Sequence, residues 1–340
     1  MRTQGSTISF AAKFLVGLFL SVLVMEAALR LIEITPLWRV LPVVQTQYGR
    51  PDPETGYGLR AGVSGIWVKE QRTRLEINEF GMRDRPRTLA KPEGAKRIAL
   101  MGDSLTEAVQ VMQKDTFAAR AEAALTTTEL PIEVLNLGLS GANPLLQFLR
   151  FRSLGERFAP DIAVFVLNVA DFSDASFADD RAFPGYIDTV DGNLTIGRRY
   201  RERMSQRLLD SMAGSAFFWM VDNFRTANIL YTRREMGFDG ASPVGVAGRS
   251  QKDPCGRLLP YLDVALSLWR DGEPARMRKR LDRYLSDLSQ ELAKSAVQGI
   301  VLWRGLDPSA PSCVSEMDRR QTVVDAIEKV LTSYSLKSFD

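Results

Sequence analysis

Residues 97–340 are expected to fold as an α/β domain, a parallel sheet with helices on both faces. Three observations predict it. Short apolar runs alternate with amphipathic stretches, the rhythm of βαβ units with right-handed crossovers. The runs at 98–101 and 162–167 are continuous rather than alternating, as in strands covered on both faces. The sharpest motif, Gly102-Asp103-Ser104-Leu105, directly follows the first run, where open α/β sheets hold their ligands.

The chain begins with an apolar segment. Residues 14–25 (FLVGLFLSVLVM) are uncharged, and residues 8–29 carry only Lys13 and Glu26. Roughly 20 residues cross the hydrocarbon layer of a bilayer. The segment reaches that length with Lys13 snorkelling to one interface and Glu26 near the other. No small-x-small cleavage site follows it, the next residues being Glu26-Ala27-Ala28-Leu29-Arg30. Residues 1–34 are therefore expected to be a signal anchor, with a cleaved signal peptide and a buried hairpin helix as the alternatives. Arg2 and Lys13 ahead of the apolar core lean towards a cytoplasmic N-terminus.

Residues 35–96 read as an extended lead-in. Pro36, Pro42, Pro51 and Pro53 exclude long helices, and Gly56, Gly58 and Gly62 mark turns. Runs at 65–68 and 75–77 suggest a small β-hairpin, and residues 83–97, charged and Pro-bearing, a surface crossing. Next come a strand at 98–101, an Ala-rich helix at 117–125, a strand at 132–137, a helix at 145–158 and a strand at 162–167. Residues 173–274 break the rhythm, with turns, a helix at 201–210 and the aromatic cluster Phe217, Phe218 and Trp219, and read as a long insertion. A helix at 276–296, a strand at 299–303 and a helix at 319–333 resume it.

Composition narrows the chemistry. Forty-five per cent hydrophobic and 25% charged residues in a chain of 340 are the balance of a protein that buries a core. The formal net charge of +3 lacks the clustered basic excess that phosphate tracking needs, so no nucleic-acid partner is expected. Zero histidines exclude His-ligated metals and any Ser-His or Cys-His pair within the chain. No cofactor and no metal are expected. Cys255 and Cys313 both sit in Pro-bearing loops. A bridge between them, worth about 2–4 kcal/mol in an oxidising compartment, and two independent thiols both remain open.

Three strand ends bring polar groups to one edge. After the first, a glycine lets the backbone turn tightly and present the Ser104 hydroxyl. A helix starting there would add N–H groups suited to an oxyanion, and Asp103-Ser104 reads equally as a helix N-cap. After the second stands Asn136-Leu137-Gly138-Leu139-Ser140-Gly141-Ala142-Asn143, and after the third Asn168-Val169-Ala170-Asp171-Phe172. In these blocks the chain resembles the SGNH/GDSL hydrolase family, in its membrane-anchored bacterial branch. The apolar helix closing in Glu26-x-x-x-Arg30 and the segment Asn78-Glu79-Phe80-Gly81-Met82-Arg83-Asp84 match as well.

The resemblance implies a three-layer α/β/α, flavodoxin-like domain. It implies acyl-ester chemistry, either hydrolysis or acyl transfer to a sugar as in polysaccharide O-acetylation, in a single-pass protein of the bacterial inner membrane with its C-terminal domain in the periplasm. Ser104 takes the nucleophile's place and Gly141 that of the glycine donating the second oxyanion N–H, with Gly102 and Asp103 completing the motif. The family's third block ends Asn-Asp where this chain has Ala170-Asp171. Asn168 lies roughly 6–7 Å earlier along the strand, and substitutes only with a shifted loop; otherwise it is a strand-end amide bonded to loop backbone.

The family's Asp-x-x-His block has no match before Asp340 and is expected beyond it. A serine hydroxyl without a general base forgoes about 10²–10⁴-fold in rate. Two functions follow. One is an ester hydrolase or O-acyltransferase acting on an acyl-ester or glycan substrate. The other is a degenerate domain that binds a glycan or assembly partner without turnover. The retained Gly102-Asp103-Ser104 and Gly141 favour the first, the missing histidine and Ala170 the second.

Overall fold

The computed structural model describes residues 4–39, 46, 48–67, 71–168, 184–191, 193–203, 207–208, 211–238, 274–304, 334 and 336–339. Helix α1 (Gln4–Ile34) has 31 residues, a length of about 46 Å. Its stretch Ala12–Ile34 is long and apolar enough to cross a membrane. Phe14, Leu15, Leu18, Phe19 and Leu23 stand exposed along it, which sets aside a buried core helix.

Two antiparallel hairpins follow, β1 (Gly49–Asp52) with β2 (Gly56–Leu59) and β3 (Ser64–Trp67) with β4 (Thr73–Glu76). The second is the hairpin its apolar runs predict. The first is hidden in the sequence because it carries glycine and proline; a two-stranded ribbon leaves each strand a free edge, where Pro51 is tolerated.

The α/β body comprises β5 (Lys96–Met101), α2 (Ser104–Glu107), α3 (Phe117–Leu125), β6 (Ile132–Asn136), α4 (Pro144–Ser153) and β7 (Ile162–Asn168). A hairpin of β8 (Gly185–Asp188) and β9 (Leu194–Gly197) and two helices, α5 (Met212–Asn223) and α6 (Arg225–Phe238), belong to the insertion. The remaining α-helix and strands among the described residues are α7 (Pro274–Lys294), β10 (Gln298–Arg304) and β11 (Lys337–Phe339). Five strands pair in parallel in the order β6-β5-β7-β10-β11, the flavodoxin-like order 2-1-3-4-5.

Side chains alternate between two cores. Leu100, Val134 and Val164 face Ala118 of α3. Ala99, Met101, Leu135, Phe165 and Val301 face the other way, onto Leu145, Phe148 and Phe151 of α4 and Leu281, Leu285, Leu288 and Leu292 of α7. The α7 residues recur every three or four positions, a helical stripe turned to the sheet. Helices thus cover both faces, and the three-layer expectation holds. Consecutive crossovers in opposite directions, β5 to β6 and β6 to β7, require helices on opposite faces.

Several details differ from the sequence reading. The helix read at 145–158 stops at Ser153, and Gly155–Phe158 forms a 3-10 turn, glycine being a poor helix former. The start of the helix read at 201–210 is instead a 3-10 turn, Arg199–Glu202, pinned where the Tyr200 hydroxyl and Arg201 Nε donate to the Pro53 carbonyl at 3.0 and 2.7 Å. The helix read at 319–333, residues 169–172, Cys255 and Cys313 lie outside the described residues.

Residues 83–97 do not simply cross the surface; their charged side chains finish the sheet. Strand β6 is an edge strand, and side chains occupy its outer backbone groups. Val134 N–H donates to Glu122 Oε2 at 2.8 Å, and Val134 C=O accepts from Arg87 Nη2 at 2.8 Å. Asn136 N–H donates to Asp84 Oδ2 at 3.1 Å, and Thr126 Oγ1 donates to Ile132 C=O at 3.0 Å. An edge capped in this way offers no template to another strand. Arg87 and Asp84 pair through two bonds, 2.9 and 2.8 Å. Arg97 is buried against Glu133 and donates to the Leu89 and Phe158 carbonyls at 3.0 and 2.6 Å. At Asp84, Arg87 and Arg97 charge reports buried ion pairing, whereas Arg85, Glu93 and Lys96 stay exposed as a surface crossing predicts.

Candidate functional site

Strands β5, β6 and β7 run parallel, so the segments that follow them leave one edge of the sheet. The order turns back at β5, which puts its carboxyl end at the topological switch point where such sheets bind ligands. Gly102 closes that strand; a Cβ there would lie 1.9 Å from Thr106 Oγ1. Asp103 is the N-cap of α2, its side chain accepting the Leu105 N–H at 2.9 Å, which is the capping role the dipeptide also suggests. Ser104 is the first residue of α2 and partly buried. Helix α2 has only four residues and ends at Ala108 with φ +55°. A single turn sums few peptide dipoles, so the oxyanion field expected from a following helix is small here.

The segment after β6 is bonded to this turn backbone to backbone. Leu137 N–H donates to Leu100 C=O at 2.9 Å and Leu139 N–H to Gly102 C=O at 3.0 Å. Gly138 lies between them against α2, where a Cβ would meet Glu107 N at 2.3 Å and Thr106 C at 2.6 Å. A turn closed by Ala142 N–H to Leu139 C=O, 2.9 Å, holds Gly141 exposed at φ +76°, a third-position conformation that favours glycine. Asn143 then caps α4, accepting the Leu146 N–H at 2.8 Å, with Pro144 in the first turn. Among the described residues, neither the Ser104 hydroxyl nor the Gly141 N–H has a hydrogen-bond partner. Asn168 ends β7 in register with Arg304; its side chain lies outside the described residues.

A buried polar frame holds the two turns together; the motif at 78–84 supplies its Asn78 and Arg83, whereas Glu107, Tyr48 and Arg150 carry no motif signal. Glu107 of α2 is fully buried, and its Oε2 accepts the Ser140 N–H. Burial pushes its carboxyl above the ordinary carboxylate range, opposed by Ser140, the Arg150 charge and the Tyr48 hydroxyl. Burial and the neighbouring Glu107 charge likewise push the Tyr48 hydroxyl up. Arg83 Nη1 donates to the Glu107 C=O at the end of α2 at 3.2 Å, and Nη2 to the Val111 C=O in the turn beyond it at 2.5 Å. Arg150 Nε donates to the Leu137 C=O at 2.9 Å and Nη2 to the Gly81 C=O at 2.7 Å. Asn78 Oδ1 accepts the Phe80 and Met82 N–H groups at 3.0 Å each, which shapes the segment leading to Arg83 and Asp84.

The spacing Ser104-x-x-Glu107 fits a helix-start box, yet Glu107 turns inward to Ser140. Buried charge is seldom legible from one sequence, because partners distant in the chain make it tolerable. Chemically, among the described residues, the edge offers an unpartnered hydroxyl on one turn and an unpartnered N–H on the loop bonded to that turn. Glu107, which could otherwise act as a base, is engaged in positioning that loop. Among the described residues, no group of three or more acidic or cysteine side chains is placed to hold a metal ion.

The fold and this edge define a doubly wound α/β protein with its candidate site at the switch point. No family model matches the chain, and no curated protein matches it. Among solved structures it is similar to the one described as the crystal structure of TesA, at 11% identity over 72% of this chain and 77% of that one, with a TM-score of 0.32. A likeness of that size carries no argument here.

Proposed function

We propose that the chain is a membrane-anchored SGNH-like protein that binds acyl esters at the edge formed by Ser104 and Gly141, in the manner of a serine ester hydrolase or O-acyltransferase. The observation carrying this reading is the Leu139 N–H to Gly102 C=O bond, which with Gly138 against Glu107 locks the Gly102-Asp103-Ser104 turn to the Gly141 loop. On this reading Ser104 Oγ attacks the ester carbonyl as its proton passes to water, and the Ser104 and Gly141 N–H groups receive the developing oxyanion. Collapse of that intermediate breaks the ester C–O bond, releases the alcohol and leaves the acyl group on Ser104. The acceptor that discharges the acyl group is water or a sugar hydroxyl of a cell-envelope polysaccharide. Helix α1 holds the domain at the inner membrane with the site on the periplasmic side.

A second reading, binding of a glycan or assembly partner without turnover, is favoured by one observation: the 340 residues contain no histidine to take the serine proton. Hydrolysis of p-nitrophenyl acetate by the full chain and by Ser104→Ala separates the two. A Ser104-dependent rate about 10²–10⁴-fold below that of a complete triad supports acyl chemistry without its base. Equal rates for both proteins overturn the acyl-transfer reading and leave the binding one.

A further inference from the structure

The insertion's helical hairpin is fastened to α1 by a polar seam. Glu26, Arg30 and Glu33 recur at i, i+4 and i+7, on one face of an otherwise apolar helix. Glu26 Oε1 accepts the Arg225 N–H and Oε2 the Thr226 N–H, each at 2.9 Å, so it caps α6. Arg30 Nη2 donates to the Asn223 C=O at 2.6 Å, and Glu33 pairs with Arg225. The end of α5 is thereby fixed beside residues 26–33, the last turns of the Ala12–Ile34 stretch.

The inner face of α5 is also fixed. Asp222 pairs with Arg60 at 2.9 Å, Phe218 lies under the Arg50 guanidinium, and Phe218 and Val221 are buried. The outer face is apolar and open. Met212, Ala216, Trp219 and Met220 recur at i, i+4, i+7 and i+8, with Met212 91% and Trp219 61% exposed. Residues 212–221 contain no charge. Ten such residues are too few to span a bilayer and suit an interfacial segment, and tryptophan is the residue enriched at that depth.

We propose that α5 is a second membrane-contacting element, its Met212–Trp219–Met220 face lying in the interfacial layer of the bilayer that α1 crosses. The proposal rests on the anchored reading of α1. Continuity commits the face to lipid: the seam from Glu26 to Glu33 puts it level with the end of the span. Two attachments, one through the bilayer and one along it, fix the domain's orientation where α1 alone would leave it free to swing.

The test uses the full chain in phosphatidylcholine–phosphatidylglycerol vesicles whose acyl chains carry bromine near the headgroup. Subtracting the emission of Trp219→Phe, or of Trp219→Tyr should the first variant fold poorly, isolates Trp219 among the chain's five tryptophans. A blue-shifted Trp219 component that loses about half its intensity in brominated vesicles is expected of an interfacial indole. A component with water-like emission and no quenching overturns the proposal, as does a blue-shifted but unquenched one, which would mean that protein, such as a second copy, covers the face. Carbonate extraction of the same vesicles is read separately. Release refutes the α1 anchor alone, whereas retention with unquenched Trp219 refutes the α5 contact alone.

Discussion

Asp84→Ala tests how the sheet edge is held. Asp84 accepts two bonds from Arg87 at 2.9 and 2.8 Å, a third from the Asn136 N–H at 3.1 Å and a fourth from the Arg85 N–H at 2.7 Å, and the Arg87 side chain is only 1% exposed. Removing the carboxylate leaves Arg87 with Glu122 and the Val134 carbonyl at 2.8 Å each, and orphans a buried amide at the end of β6. Breaking a buried pair from one side costs about 3–5 kcal/mol. The orphaned amide, about 1–3 kcal/mol alone, overlaps that figure rather than adding to it. A loss of about 3–5 kcal/mol is a large share of the roughly 5–15 kcal/mol that separates folded from unfolded domains. Asp84→Asn keeps an acceptor for Asn136 and should lose about 1.5–3 kcal/mol, the worth of a charge-assisted bond. Asp84→Ala/Arg87→Ala should cost less than the sum of the two single changes, because both remove the same Asp84–Arg87 bonds. The assay is urea denaturation of the full chain in detergent, followed by near-UV circular dichroism. A loss below about 1 kcal/mol for Asp84→Ala would place the pair among exposed ones and refute the account of the edge.

Two further outcomes bear on the frame around the site. Glu107 has its folded pKa raised above the ordinary 4.5 by burial, so the folded state holds its proton more tightly than the unfolded one. Its contribution is fully present below the ordinary value and is lost as pH rises towards the folded value. The stability of wild type relative to Glu107→Gln, from urea midpoints between about pH 4 and pH 7, should therefore fall as pH rises; a rising difference would mean that Arg83 and Arg150 hold the carboxylate charged. The paired substitutions Gly138→Ala and Gly141→Ala separate close approach from backbone strain. The first puts a methyl 2.3 Å from the Glu107 nitrogen, whereas nothing lies within 4 Å at Gly141. Overpacking at Gly138 should cost about 1–3 kcal/mol together with any Ser104-dependent activity, and the left-handed conformation at Gly141 about 1–2 kcal/mol. Equal activity in Gly138→Ala and wild type would show that the loop and α2 need not touch.

The strands at β5, β6, β7 and β10 are legible because apolar side chains on both faces leave a run that no loop requires. Strand β11, Lys337–Phe339, has no such run and enters the sheet through backbone pairing with β10. Hairpin β1–β2 is hidden for a related reason, since its Gly49, Pro51 and Gly56 read as turn residues. At the site, short-range signals placed Ser104, Gly102 and Gly141 on their turns, because a glycine after a strand announces itself within a few residues. Glu107 and Arg150 announce nothing locally, and Arg83 and Asp84 stand out only as part of the 78–84 block, with no sign of their burial. The burial of Glu107, Arg83, Arg150 and Asp84 depends on partners 33, 24, 13 and 52 positions away in the chain, and such separations are a property of the fold.

That division also decides which residues can report on function. Glu107, Gly138, Arg83 and Arg150 hold the two turns together, and a binding site would need them as much as an enzyme would. Losing activity on changing any of them would leave catalysis and folding entangled. Ser104 is different. Its hydroxyl has no partner among the described residues, while the cap of α2 is supplied by the neighbouring Asp103. Ser104→Ala removes one oxygen from a partly buried position that no described part of the frame uses, and changes away from packing and bonding partners usually stay within about 0.5 kcal/mol. A large drop in turnover with no shift in the urea midpoint therefore assigns Ser104 to chemistry. An equal shift in both would place it in the frame, and the acyl-ester reading would lose its nucleophile.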